Sequence, residues 1–245
     1  MKYLSILLVM LTNLACQQEA PTVKQADEVV PAIQLPMQNQ VLKKDTIKQA
    51  MIPSTSQVAQ LIPEGFNLVK NDEGEELVLA DFNQDNLIDV ALLVEIRGDT
   101  TYDWAEEVCL LIALQQKDGT LEKVMVSGNL GGESVSYTDQ KHLWAKKGVL
   151  SYLHQSMRHH LELKFRYEPI SGHFMLIGKE YQDYGSMSSP PYAESTNYLT
   201  GKQIIRAQEW NEDTEELEAL PEEIRNIEKM EIPAHMIDFE SMYDY

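Results

Sequence analysis

The feature that most constrains this chain is a series of apolar runs of strand length, separated by turn residues. In residues 161–167, four apolar side chains alternate with three charged ones. This period of two is typical of a strand with one dry face and one wet face. Comparable runs predict strands at residues 66–69, 77–80, 89–96, 108–115, 121–126, 148–155, 160–167, 173–181 and 201–207. The predicted fold is mainly β: an antiparallel meander or twisted sheet, partly propeller-like, with short flanking helices.

Local signals place turns and helices between these strands. The pairs Asp118-Gly119 and Ser171-Gly172 favour tight antiparallel connections, because glycine adopts positive φ at little cost. A short helix is expected at residues 56–62, and a second at 221–230, where Pro221 occupies the first turn and acids follow it. The second helix could dock on the sheet; the alternative is an acidic tail that binds a partner. Residues 51–245 are long enough for a single β-rich domain with an acidic C-terminal segment.

The N-terminus has the order of a secretory signal. Lys2 precedes an apolar stretch at residues 4–11, and this stretch is too short to span a bilayer stably. Residues 13–16 read Asn-Leu-Ala-Cys, which resembles the lipobox of bacterial lipoproteins. The resemblance implies that residues 1–15 are a lipoprotein signal peptide and that Cys16 is lipidated. It places the protein in the bacterial cell envelope, anchored to the outer membrane or facing the periplasm; the alternative is a cleaved signal and a soluble periplasmic product.

Residues 16–50 are interpreted as a flexible tether. They are rich in Gln and Pro, contain few aromatic residues and show no sustained periodicity. Acidic and basic residues balance there, so strong attraction to anionic lipid is not expected. The membrane would then be a partner through the lipid anchor alone.

Residues 81–89 carry the clearest chemistry. Asp81, Asn83, Asp85 and Asp89 place four oxygen-bearing side chains in one short segment between apolar strands. Calcium takes six to eight oxygen ligands, and a loop with acceptors at alternate positions can surround one ion. An EF-hand is excluded, because its glycine and its final acid are replaced by Asn86 and Leu92. Asn86 still tolerates the left-handed backbone of a sharp turn; the alternative is a solvated acidic turn without metal.

The segment resembles the calcium loop of FG-GAP and VCBS repeats, written D-x-N-x-D-G-x-x-D, with Asn86 in place of the glycine. The resemblance implies that the side chains of Asp81, Asn83, Asp85 and Asp89 bind calcium, together with the carbonyl of Leu87. Calcium would be a structural cofactor. A second such loop is missing from the sequence, so a complete propeller is not predicted. Residues 161–177 and 197–202 also resemble bacterial lipoproteins of unknown function, which supply no activity.

Other reactive residues favour structural roles. Cys109 lies in an apolar run, which predicts a buried thiol rather than a nucleophile. His154, His159 and His160 could suggest a transition-metal site, but consecutive strand residues point to opposite faces, so surface histidines are favoured. The acids at 72, 73, 75 and 76 raise the possibility of a glycosidase, which needs a pair of carboxylates.

Charge narrows the range of partners. The net charge of −19 argues against nucleic acid and leaves cations and basic protein surfaces as partners. Residues 180–192, rich in Tyr, Ser and Pro, suit either an exposed recognition loop or a connection whose tyrosines fold back on the domain. The sequence therefore favours a non-enzymatic, membrane-anchored envelope lipoprotein whose calcium-stabilised β domain is an interaction module for an envelope protein. The alternative is an envelope hydrolase acting on glycan or peptide through acidic residues.

Overall fold

The computed structural model describes residues 52–71, 74–97, 105–130, 140–186, 189–238 and 241. The predicted signal peptide, Cys16 and the tether lie outside the described residues. All described residues belong to one compact unit. Within these ranges, no helix has the length and apolarity needed to cross a membrane.

A short helix, α1 (Thr55–Ala59), precedes the strands. Ser54 caps it: the backbone N–H of Gln57 donates to the Ser54 hydroxyl oxygen (3.3 Å), and the Ser54 N–H donates to the Gln57 side chain (2.8 Å). This reciprocal pair satisfies two N–H groups that the first helical turn leaves free. The helix predicted at 56–62 is therefore confirmed in type and is shorter at its C-terminal end.

The first sheet has five antiparallel strands. They are β1 (Asn67–Leu68), β4 (Leu77–Ala80), β5 (Asp89–Arg97), β6 (Ala105–Gln115) and β7 (Leu121–Val126). β5 lies between β6 on one side and β1 and β4 on the other, while β7 pairs with the far edge of β6. Between β1 and β4, a separate small hairpin contains β2 (Lys70–Asn71) and β3 (Gly74–Glu75).

The second sheet has nine strands. They are β8 (Gln140–Lys146), β9 (Val149–Gln155), β10 (His159–Glu168), β11 (His173–Asp183), β12 (Tyr192–Asn197), β13 (Lys202–Asn211), β14 (Glu216–Ala219), β15 (Glu223–Asn226) and β16 (Ile232–Pro233), followed by a 3₁₀ turn at Ala234–Met236. Strands β8 to β13 pair in chain order, which is a meander; β14 and β15 both pair with β13, and β16 pairs with β11. The predicted antiparallel, mainly β fold is confirmed, and none of the described sheets closes into a barrel.

The core has two parts, one on each face of the first sheet. Leu93 and Leu110 belong to the larger cluster, which includes Leu163 and Phe165 of the second sheet. On the opposite face, residues of β5 and β6 pack against α1 and its neighbours. The smaller cluster contains Val58, Leu61, Leu68, Leu77, Val90, Leu92, Val94, Cys109, Leu111 and Ala113. Because both faces are covered, β5 and β6 read as nearly continuous apolar runs rather than alternating ones.

The C-terminal helix predicted at residues 221–230 is wrong. Residues 223–226 form β15, which pairs with β13 so that Ile224 lies opposite Ile204. The backbone hydrogen bonds offered by the open edge of β13 therefore outweigh the local helix signals, as tertiary context commonly does. Ile224 remains 64% exposed rather than docked. Six further strands were not predicted from the sequence: β2, β3, β8, β12, β14 and β16.

The buried face of β5 allows a direct test of this packing. Leu93 has no exposed surface, so we expect Leu93→Ala to lower the free energy of unfolding by about 3 kcal/mol through lost burial and an unfilled cavity. Ile170→Ala is the control, because Ile170 is 97% exposed and its truncation should change little. Urea denaturation measures both. A loss below about 1 kcal/mol for Leu93→Ala would contradict the assigned core.

Candidate metal centre

The predicted calcium loop connects β4 to β5 and contains two residues in the left-handed region. Asn86 has a φ of 70° and Gln84 a φ of 63°. The tolerance of Asn for this conformation was the reason to expect a turn at Asn86, and that expectation is confirmed. The positive φ of Gln84 had no sequence signal, because Gln is not among the residues enriched there.

The side chains of the loop bind its own backbone. Asp81 accepts from the N–H groups of Asp85 (3.1 Å) and Asn86 (3.0 Å), one on each carboxylate oxygen. The amide oxygen of Asn83 also accepts from the Asp85 N–H (3.1 Å), and Oδ1 of Asp85 accepts from Leu87 N–H (2.8 Å). These bonds draw the chain into a tight turn with the polar side chains folded back on it.

Asp89, the first residue of β5, is fully buried. Its two carboxylate oxygens accept from the backbone N–H groups of Phe82 (2.8 Å) and Gln115 (2.9 Å), so it ties the loop to the end of β6. Burial raises the pKa of Asp89 to about 6; the hydrogen bonds only partly oppose this, and the charge of Asp85 adds to it. In the described part of the chain, no Lys, Arg or His forms an ion pair with Asp81, Asp85 or Asp89.

Phe82 attaches the other end of the loop to the second sheet. Its ring is 1% exposed and meets Phe174 of β11 edge to face, with ring centroids 5.9 Å apart. Such aromatic pairs stabilise by about 0.5–1.5 kcal/mol beyond their burial. The loop is thus held by both sheets, through Asp89 on one side and Phe82 on the other.

The loop brings together the residues predicted from the sequence to be ligands. Asp81, Asn83, Asp85, Leu87 and Asp89 all lie within it, and their polar side chains offer oxygen, the donor that calcium prefers. A carboxylate or amide oxygen that accepts one N–H keeps a second lone pair. The donors therefore fit calcium by chemistry. Among the described residues, however, no three His, Cys, Asp or Glu side chains form a ready-made metal cluster.

A shallow cavity of about 250 Å³ lies beside the loop. It is lined by Phe82, Asn83, Gln84, Arg166, Tyr167, Glu168 and Pro169. A glycosidase needs two carboxyl groups across its substrate, one protonated and one ionised. Glu168 is the one carboxylate in this lining, so the cavity does not supply that pair.

The acids upstream of the loop have structural roles. Glu76 is buried, and one of its carboxylate oxygens accepts from the backbone N–H of Leu143 (2.6 Å) while the other lies 3.3 Å from Nδ1 of His142. It thereby satisfies an N–H on the outer edge of β8, which otherwise would be buried without a partner. Glu75 pairs with Lys70 at 3.5 Å. The acids at 72 and 73 lie outside the described residues.

The expected surface position of the histidines is wrong for His154. That residue is 2% exposed, and its ring lies 5.5 Å from the ring of His159. Strand register explains this, because His154 lies opposite Leu161 and shares its inward face. His160 points to the other face, as predicted, and bonds Gln155 at 3.0 Å.

The prediction that the Cys109 thiol is buried is confirmed. Its thiol is buried against the first sheet's smaller cluster, 4% exposed. Burial raises the pKa of Cys109 to about 12, and the neighbouring Glu107 carboxylate adds to the shift. A nucleophilic cysteine needs the opposite, a lowered pKa beside a cation.

The sequence reading missed a polar cluster on the inner face of the second sheet. Lys179 lies 3.2 Å from Glu194, whose carboxylate also accepts from the hydroxyls of Tyr192 (3.0 Å) and Thr196 (2.8 Å). Burial alone would raise the pKa of Glu194, but Lys179 and these hydrogen bonds outweigh it and hold the pKa below its ordinary value. The same burial, with Glu194 beside it, raises the pKa of Tyr192 to about 12.

This cluster also decides between the two interpretations of the Tyr-rich segment. Tyr181 and Tyr192 lie half-buried with ring centroids 6.4 Å apart, on β11 and β12. These two tyrosines fold back on the domain, whereas Tyr184 is 42% exposed. The alternation of Tyr192, Glu194 and Thr196 could have predicted a strand. The Ser and Pro residues directly before it favoured a loop instead.

Comparison with known proteins does not assign the chain to a family. No protein-family model matches it, and searches of curated proteins and of solved structures find no similar protein. The resemblance of the loop to FG-GAP and VCBS repeats therefore stays a prediction. Function has to be inferred from the chemistry of the chain's own residues.

The raised pKa of Asp89 predicts a particular dependence of stability on pH. Its folded pKa, about 6, exceeds the ordinary value of 3.8, so its contribution is complete below about pH 4 and is lost as pH rises through 6. In chelator, the free energy of unfolding of the wild type should fall relative to Asp89→Asn by up to about 3 kcal/mol across this window. Urea denaturation at a series of pH values measures the difference.

The control for this series is Asp118→Asn. Hydrogen bonds from Thr120 lower the pKa of Asp118, so its stabilising contribution is lost as pH falls, the opposite direction. If the difference in free energy of unfolding between the wild type and Asp89→Asn stays constant from pH 4 to about 6, the pKa of Asp89 is not raised.

Proposed function

We propose that this protein is a lipid-anchored lipoprotein of the bacterial cell envelope, whose calcium-stabilised β domain is an interaction module without enzymatic activity. The observation that supports calcium is a loop with three acids and no basic partner within the described residues, one of the acids being fully buried. Buried charges in proteins are normally paired with an opposite charge or with a metal.

Calcium would supply the missing positive charge. The buried carboxylate of Asp89 is costly to ionise without a cation, as its pKa of about 6 indicates. A bound divalent ion would favour the ionised form of all three loop acids, Asp81, Asp85 and Asp89. Because the unfolded chain lacks the loop geometry, the ion would bind the folded state better and raise its stability by mass action.

The chemistry of the loop favours a structural ion over a catalytic one. Its ligand side chains are engaged with the loop backbone, and Phe82 and Asp89 tie both ends to the sheets. A hydrolase would instead require two opposed carboxylates around a substrate cavity. Among the described residues that line the cavity beside the loop, Glu168 is the one carboxylate, so no specific observation favours the hydrolase alternative.

The calcium proposal predicts a metal-dependent melting temperature. Calcium at about one hundred times its dissociation constant stabilises a protein by about 2.7 kcal/mol, so the full chain should melt roughly 5–10 °C higher in millimolar calcium than in chelator. Protons compete with the ion for Asp89, so this shift should grow as pH rises towards the pKa of about 6 and then level off. Scanning calorimetry measures both effects.

Two matched substitutions locate the ion. Asp85→Asn keeps an oxygen for the Leu87 N–H but removes a charged ligand, so it should abolish most of the calcium shift. Asp118→Asn removes one charge from another turn, where Asp118 accepts from Thr120, and should leave the shift unchanged. A melting temperature that is the same in millimolar calcium and in chelator would refute the metal site.

The anchor proposal predicts lipid on one cysteine. The mature chain would contain Cys16 and Cys109, and only Cys16 follows the lipobox-like residues. Cells expressing the wild type should incorporate labelled palmitate into the protein, and Cys16→Ser should abolish the label. Cys109→Ser is the matched control. It should retain the label, because Cys109 is a buried thiol that does not follow the lipobox-like residues. Equal labelling of wild type and Cys16→Ser would exclude this attachment site.

A further inference from the structure

The last hairpin of the second sheet extends beyond its neighbours. The pairing of β13 with β12 ends where Ala207 lies opposite Tyr192, and the remaining residues of β13 pair with β14. We call residues 208–219 the acidic hairpin. Every residue of β14 is exposed, so the described structure gives this hairpin no packing partner on either face of β14.

Apolar side chains line one face of this region. Trp210 lies directly opposite Leu217, and the two side chains are 56% and 45% exposed. Farther along β13, Ile204 lies opposite Ile224. Residues 204 and 210 are an even number of positions apart on one strand, so both pairs lie on the same face of the sheet. A tryptophan this exposed is unusual, and Trp is the residue type most enriched among the anchors of protein interfaces.

Acids are concentrated in and around the turn of this hairpin. Residues 208–226 contain eight Asp or Glu and a single base, Arg225. Arg225 is already paired with Glu223 at 2.7 Å, and Arg206, on the same face, with Glu222 at 2.8 Å. The carboxylates of the hairpin strands and turn form no ion pair within the described residues. Glu212, Asp213 and Glu215 lie in the turn. Glu209, Glu216 and Glu218 lie on the strands, on the face opposite Trp210 and Leu217.

We propose that this face docks a basic amphipathic segment of a partner protein. An apolar side chain of the partner would cover the Trp210–Leu217 pair, and Lys or Arg around it would face the acids of the hairpin turn. This arrangement of apolar centre and charged rim is common in protein interfaces, where charge complementarity speeds association and selects the partner. The inference rests on the proposed role as an interaction module, and it names the surface and the class of partner.

The negative charge of this face disfavours two other occupants, a second copy of the chain and anionic lipid. A second copy of the chain would bring the same acids together, and like charges across an interface are destabilising. Anionic lipid headgroups would be repelled for the same reason. A basic protein segment gains from both the apolar pair and the acids.

The test uses the full chain, immobilised through its N-terminus, and a short model peptide of alternating Lys and Leu as the probe. Biolayer interferometry should give a micromolar dissociation constant for the wild type. Trp210→Thr with Leu217→Thr should weaken binding at least about tenfold, because the apolar contact is lost while strand propensity is kept. Glu212→Gln with Glu215→Gln should weaken it at least about threefold.

Matched controls separate this surface from the overall negative charge. Ile170→Thr changes an apolar residue exposed in another hairpin, and Glu64→Gln with Glu122→Gln removes the same number of exposed carboxylates elsewhere. Both should bind as the wild type does. Controls that weaken binding as much as the hairpin variants would overturn the proposal, as would unchanged binding by Trp210→Thr with Leu217→Thr when its melting temperature is preserved.

Two further results separate this proposal from the proposed function. Loss of probe binding in the hairpin variants supports the docking surface even if calcium leaves the melting temperature unchanged, which would refute only the metal. A dimer in sedimentation equilibrium that dissociates in Trp210→Thr with Leu217→Thr would overturn the docking proposal, because a second copy would then be the occupant. Such a dimer would leave the calcium result unaffected.

Discussion

The structure depends on two strands that are apolar on both faces. The central parts of β5 and β6, residues 90–94 and 108–114, consist of buried apolar residues, so the chain has to cover each side of them. The second sheet covers one side, and α1 with its neighbours covers the other. Because burial of apolar area is the main favourable contribution to folding, this double covering sets where every other element can lie. The loop of residues 81–88 lies at one end of this central pair, between the two sheets.

Asp89 shows how one polar residue is tolerated in that setting. It starts β5 and has no exposed surface, yet both of its oxygens accept backbone N–H groups that would otherwise lack partners. The two hydrogen bonds from backbone N–H groups favour the ionised form, but desolvation by burial outweighs them, so the pKa of Asp89 is still raised. Asp89 therefore links the loop to the sheet, and its ionised carboxylate would attract a cation strongly.

The two acidic regions of the chain have different physical consequences. In the loop, Asp81 and Asp85 fold back onto backbone N–H groups, so their charges are concentrated around one small volume. In the acidic hairpin the carboxylates are spread over the exposed strands and the turn, and those of the turn lie beyond the Trp210–Leu217 pair. A compact group of oxygens suits a small hard ion, whereas a dispersed rim of charge around an apolar centre suits a protein surface. Composition alone shows that both regions are negatively charged. It does not distinguish a compact group of carboxylates from a dispersed one.

Features of the fold that depend on neighbouring residues could be predicted from the amino-acid sequence. Apolar runs of strand length predicted nine of the strands, Gly119 and Gly172 predicted two hairpin turns, and the tolerance of Asn86 for positive φ predicted the turn in the loop. The sequence also grouped all the loop oxygens, since they lie within nine residues. These features rest on local conformational preferences, which the sequence states directly.

Features that depend on contacts between distant parts of the chain appear only in the folded structure. The open edge of β13 allowed residues 223–226 to pair as a strand, and the covering of the inner face buried His154 and left Glu194 half-buried beside Lys179. The burial of Asp89, and hence its raised pKa, likewise depends on β6, which lies far along the chain. The physical reason is common to all of them. Whether an edge is paired or a face is covered is a property of elements separated in sequence, and local residue patterns carry no record of it.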